Sequence, residues 1–173
     1  MIVAMSAKAG TIWISAEVAE KIRAHGAEAY PNECCGALLG RDAGPDGAEG
    51  VPREIVESFA MVNRRVDSSR GMRAMDKSSA RNRFLVTPQD VLEVEKAAAA
   101  RGLGVIGWYH SHPDHAARPS EYDRENAWPW YSYVVVSVFG GVAGEMRSWR
   151  LREDREGFFE ERMEIRPEPS AQS

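Results

Sequence analysis

GVIGWYHSHPDHAARPSEYD, residues 104–123, decides how the chain is read. Its first seven residues, GVIGWYH, have the length and apolar content of a buried strand, and SHPDHAARP reads as the loop after it. Ser120 then opens a short helix that ends before Pro129. Three of the four histidines fall here: His110, His112 and His115. In extended backbone, residues two apart point the same way, so His110 and His112 present two imidazoles to one point. Pro113 turns the chain away after them. Asp123 is the third position of the helix, eleven residues after His112, and its carboxylate is placed to point back at the His-x-His edge. Two neutral imidazoles and one carboxylate make a three-ligand zinc site with a fourth position left for water, the catalytic rather than the structural type. Ser120-x-x-Asp123 is equally a helix capping box, and on spacing alone both readings stand.

Working outward, GTIWI (10–14) reads as a strand, and Ser15 caps a helix over 16–29 that Pro31 stops. CCGALL (34–39) and VPREIVESFAMV (51–62) read as strands paired in a hairpin across the turn-rich stretch 41–50. Thr87, Pro88 and Asp90 open a helix that runs to Arg101 and stops at Gly102. SYVVVSVF (132–139) is the strongest strand, Gly140-Gly141 turns it into MRSWRLR, and FFEERMEIR gives a last one. Helices and strands interleave around one mixed sheet, so the expected class is α/β or α+β with helices covering the sheet. A single domain over 1–166 and a flexible polar tail over 167–173 are expected.

Composition narrows the function classes. A chain of 173 residues with 43% hydrophobic and 28% charged side chains is an ordinary soluble domain, not a disordered, collagen-like or disulfide-stapled one. A net charge of −4 argues against a nucleic-acid binder. The two cysteines, Cys34 and Cys35, are adjacent and form no disulfide framework; they read as small buried apolar residues of a cytoplasmic protein. The apolar start is too short for a signal peptide, and no run approaches the ~20 residues of a membrane span. Against this background, residues 64–83 carry a net charge of +5. They read as a mobile surface loop, with capture of an acidic substrate protein as the alternative.

A zinc hydrolase also needs a carboxylate to take a proton from the attacking water and hand it to the leaving amine. Glu33, which opens the apolar run at 34–39, is the candidate. The competing reading is an exposed charge at a helix-to-strand junction.

The pattern resembles the JAMM (MPN-plus) metalloprotease family. Its elements are Glu33 in PNECCGALLG, then His110, Ser111, His112 and Pro113 in GWYHSHP, then Ser120 and Asp123 in PSEYD. The resemblance spans roughly residues 10–150 and implies the cytidine-deaminase-like MPN core, a mixed sheet flanked by helices. It makes His110, His112 and Asp123 ligands of one zinc ion and Glu33 the general acid/base on the zinc-bound water. It makes Ser120 the hydroxyl that helps hold the oxyanion. The implied activity is isopeptide or peptide hydrolysis after the C-terminal Gly-Gly of a ubiquitin-like, sulfur-carrier-type protein. The alternative is a non-catalytic MPN scaffold.

Two features depart from that pattern, the stretch after Asp123 and the basic segment 64–83, whose sequence is its own; His115 and an aromatic cluster fall outside it. The stretch after Asp123 lacks the extra Cys and His residues of a second, structural zinc, so selectivity for polyubiquitin chains is not implied. His115 has no place in the motif and reads as a loop residue. Trp128, Trp130 and Tyr131 read as core packing in preference to a substrate-tail groove.

Overall fold

The computed structural model describes residues 10–42, 52–63 and 86–167. In chain order it contains β1 (Thr11–Ser15), α1 (Ala16–Ala29), β2 (Cys35–Arg41), β3 (Arg53–Met61) and α2 (Pro88–Ala100). β4 (Gly104–Pro113), α3 (Glu121–Asn126), β5 (Ser132–Phe139), β6 (Val142–Leu151) and β7 (Phe158–Arg166) follow. The expected mixed sheet with flanking helices is present. The turn-rich residues 43–50, the basic segment 64–83 and the tail beyond Pro167 lie outside the described residues.

The strands follow the order β1-β3-β2-β4-β5-β6-β7, and parallel pairing of β1 with β7 closes them into a barrel. Closure was not among the sequence expectations. It joins two strands at opposite ends of the described chain, and no local pattern signals such a long-range pair.

The concave side of the sheet wraps α1. The Ser15 hydroxyl accepts the Val18 amide at 3.1 Å and so caps this helix. Val18, Ala19, Ile22 and Gly26 form its buried stripe. They pack on Ile12, Ile14, Leu38, Ile55, Ile106, Val134 and Val136, each an inward-facing strand residue. Full burial of side chains such as Ile22 contributes about 1.5–3 kcal/mol each. Gly26 allows the close approach, since a Cβ there would lie 3.1 Å from Val138 and 3.3 Å from the Ser111 Cβ. On the opposite face α2 supplies Val94 and Ala98 against Cys35, Ala37 and Leu39 of β2. Cys34 and Cys35 are both buried and free, as expected.

β4 is held on both sides. It runs antiparallel to β2, with Cys35 opposite His110, and parallel to β5, with His112 opposite Ser137 and Pro113 opposite Val138. The β5 ladder carries the strand through Pro113, beyond the expected end at His110. The turn falls instead at Asp114, which takes a left-handed φ of 58°. Its amide donates to the Val138 carbonyl at 2.7 Å, and its carboxylate accepts the Gly140 amide at 2.9 Å and the Tyr30 hydroxyl at 2.8 Å. Among the described residues, no helix is long and apolar enough to cross a membrane.

Candidate metal centre

The period of two along β4 sorts the motif onto two faces. Tyr109 points inward, where its hydroxyl meets His25 Nδ1 at 2.8 Å. Gly36 on β2 leaves room for its ring: a Cβ there would sit 2.2 Å from the Tyr109 Cε1. His110 and His112 point the other way and are 2% and 7% exposed.

α3 brings Asp123 over these two rings. His110 Nε2 and His112 Nε2 lie 3.1 Å apart, and Asp123 Oδ2 is 3.2 Å from the first and 3.3 Å from the second. Bonds of 2.0–2.1 Å to a tetrahedral zinc would place neighbouring ligand atoms about 3.3–3.4 Å apart. The three donors and their near-equal spacings fit such an ion. His112 Nδ1–H donates to the Ala116 carbonyl at 3.0 Å, which leaves a lone pair on the Nε2 that faces the centre.

Asp123 is fixed by the helix cap. The Ser120 amide donates to Asp123 Oδ2 at 2.6 Å, and the Asp123 amide donates to the Ser120 hydroxyl oxygen at 3.2 Å. The two readings of Ser120-x-x-Asp123 therefore coexist, because one oxygen, Oδ2, both closes the cap and faces the histidines. Burial pushes the Asp123 carboxyl up, but the facing histidine pair, His110 foremost, and the Ser120 amide outweigh it. The net effect holds this group well below the usual carboxylate range.

Glu33 is buried, 4% exposed, which overturns the reading as an exposed junction charge. Carrying the β2–β4 register two residues past Cys35 and His110 sets Glu33 opposite His112, on the same face of the sheet. Cys34 confirms the path: its amide donates to the Ser111 hydroxyl oxygen at 2.8 Å, and its carbonyl accepts the Ser111 amide at 3.2 Å. Burial pushes the Glu33 carboxyl up to about 8, with His112 drawing it down and Asp123 raising it further.

Outside this centre the expectations divide. His115 is an exposed loop residue. Trp128 and Trp130 do not pack in the core. They are 53% and 56% exposed and stack on each other with ring centroids 5.1 Å apart. Their backbone is what the fold holds. Arg53 donates to the Trp130 carbonyl at 2.6 Å, Arg150 to the Pro129 carbonyl at 3.1 Å, and the Trp128 amide to the Tyr133 hydroxyl at 2.8 Å. Tyr131 alone turns inward, edge-on to Trp108 at 5.7 Å. The cleft between the diverging ends of β6 and β7, whose walls include Glu145, Arg147, Glu160 and Arg162, contains none of the motif residues.

The sequence reading gave no role to three residues that brace the site: Ser111, named only as a motif element, Ala116 and Asn63. Asn63 Nδ2 donates to the Glu33 carbonyl at 3.0 Å. Its signal is positional: the hairpin register of β2 and β3, with Cys35 opposite Met61, extends to place Asn63 opposite Glu33.

A mixed barrel around one helix, with a His-x-His strand edge facing a capped aspartate, brings together three donors that could hold a metal ion. The profile of prokaryotic homologs of the JAB domain matches residues 15–152, and the chain belongs to that family. Among characterised proteins it is similar to a desampylase of Haloferax volcanii, 26% identical over 148 residues, which are 83% of this chain and 91% of that protein. A solution structure from Salinibacter ruber is 35% identical with a TM-score of 0.63, covering 94% of this chain and 95% of that one. A second solution structure, from Desulfitobacterium hafniense, is 26% identical with a TM-score of 0.70, covering 92% and 95%. A JAB1/MPN-domain crystal structure from Archaeoglobus fulgidus, 17% identical with a TM-score of 0.50 over 90% of this chain and 100% of that one, shares the fold.

Proposed function

We propose that the chain is a zinc-dependent isopeptidase or peptidase that cleaves after the C-terminal Gly-Gly of a ubiquitin-like, sulfur-carrier-type protein. The observation that carries this reading is the meeting of His110 Nε2, His112 Nε2 and Asp123 Oδ2 within 3.3 Å of one another, with buried Glu33 across from His112. The similarity to a desampylase supports the choice of substrate class.

His110, His112 and Asp123 would hold the ion, which supplies Lewis-acid chemistry: it acidifies water and polarises the scissile carbonyl. Glu33 takes the proton of the attacking water and returns it to the leaving amine. Burial raises the proton affinity of this carboxyl, which suits a group that must take up a proton and hand it on. Ser120 accepts the Asp123 amide with its oxygen, so its O–H remains to donate to the oxyanion. Gly-Gly is the tail that suits a buried centre, since a chain without Cβ atoms approaches most closely. We place this activity in the cytoplasm.

A non-catalytic scaffold gives no reason to bury Glu33 against His112, where desolvation raises the cost of its charge. The reading is tested by mixing the zinc-loaded protein with ubiquitin-like carriers extended past Gly-Gly, either linearly or through a lysine. Intact-mass analysis should show products ending at Gly-Gly. Products cut elsewhere, or none from any such carrier, would contradict it.

A further inference from the structure

Glu33 precedes β2, so the regular ladder of that strand, which begins at Cys35, does not hold it. Two side chains from neighbouring strands do the holding. Asn63, two residues past the end of β3, donates through Nδ2 to the Glu33 carbonyl at 3.0 Å. Ser111, between the two histidines on β4, accepts the Cys34 amide on its hydroxyl oxygen at 2.8 Å and donates its own amide to the Cys34 carbonyl at 3.2 Å. A regular antiparallel pair at Cys34 and Ser111 would use the Ser111 carbonyl as the acceptor. Here a side chain takes its place, so the bond depends on the residue being a serine or threonine. Asn63, Ser111 and Cys34 are 8%, 0% and 2% exposed, so water offers little competition for these bonds.

The geometry points to Asn63 and Ser111 as positioning residues that set the Glu33 carboxylate relative to His110 and His112, an inference that rests on the isopeptidase reading above. Ser111 joins the two parts directly. Its backbone spaces the imidazoles while its hydroxyl fixes the residue after the base, so base and ligand pair share one reference point. Asn63 fixes the other side of Glu33. The carboxylate then reaches its place without a search, and a displacement of about 1 Å is enough to cost on the order of 10²-fold in rate.

The test is a double-mutant cycle with a structural arm, all on the full chain. Asn63→Ala should lower kcat by about tenfold or more on a Gly-Gly-extended carrier, with KM and zinc content unchanged. In a Glu33→Gln background the same substitution should cost nothing further, since there is no base left to misplace. Ser111→Ala should behave likewise and should speed hydrogen exchange at the Cys34 amide, while Ser111→Thr should restore both. In crystals of Asn63→Ala the Glu33 carboxyl should be displaced with His110 and His112 unmoved. An equal loss from Asn63→Ala in both backgrounds, or a Glu33 that stays in place, would overturn the proposal. If Ser111→Ala fails to fold, the Asn63 arm decides. If the wild type cleaves no carrier, the isopeptidase reading fails, and the position of Glu33 in the Asn63→Ala crystals still decides the positioning claim.

Discussion

Glu33 stands across the sheet from His112, two residues beyond the paired Cys35 and His110. The hairpin and the His-x-His strand thus deliver a carboxyl and an imidazole to one face, and α3 closes over them with Asp123. The ladders of β4 with β2 and β5 fix the histidine pair, and the hydrogen bonds of Asn63 and Ser111 extend that hold to Glu33, which lies just before β2.

Removal of one ligand should empty the centre. His112→Ala leaves His110 and Asp123, and two donors hold zinc poorly. Elemental analysis should find most zinc gone and carrier cleavage at background. A variant that keeps one zinc per chain would place the metal elsewhere.

Glu33→Gln separates binding from chemistry. The amide keeps the volume and removes the base, so zinc content and melting temperature should hold while kcat drops by at least ~10²-fold. Undiminished turnover with zinc bound would assign the base to another group.

Ser120 serves the cap and, in this account, the oxyanion, and glycine divides the two roles. Glycine at an N-cap costs only about a few tenths of a kcal/mol relative to serine. Ser120→Gly should therefore melt near the wild type yet lose roughly 10²–10³-fold in kcat, the scale of one oxyanion donor. A loss in melting temperature without a loss in kcat would reduce Ser120 to a cap.

His25 gives the metal-independent part of the pH response. Burial against Tyr109 lowers its pKa from the ordinary 6.5, with Glu28 opposing the shift. The unfolded chain then binds the proton more readily than the folded one. The stability His25 contributes is present above about pH 6.5 and is lost as the pH falls below it. In metal-free protein, the melting temperature of His25→Gln should gain on that of the wild type as the pH falls from 7 to 5. Parallel curves would remove His25 from the account.

Much of this was legible in the chain because the signals are local. The His-x-His alternation, the Ser120 and Thr87 caps and the apolar run at 132–139 each need only a few neighbours. They predicted the imidazole pair, the starts of both helices and β5 as found. The burial of Glu33 was not legible, because it depends on where β2 pairs with β4. Asn63 was invisible for the same reason, its role arising from the β2–β3 register. Trp128 and Trp130 were misread because aromatic residues usually fill cores. Here Arg53 and Arg150 claim the backbone around them and leave the indoles to stack in the open. Barrel closure pairs Thr11 with Arg162, a separation no periodicity can span.

The most direct measurement is a zinc titration of metal-stripped protein, followed by the intact mass of a ubiquitin-like carrier extended past Gly-Gly. Cleavage should rise in proportion to added zinc, stop rising at one ion per chain, and yield a carrier ending in Gly-Gly. Cleavage by the stripped protein that added zinc does not change, or an ion that binds without producing any cleavage, would contradict the account.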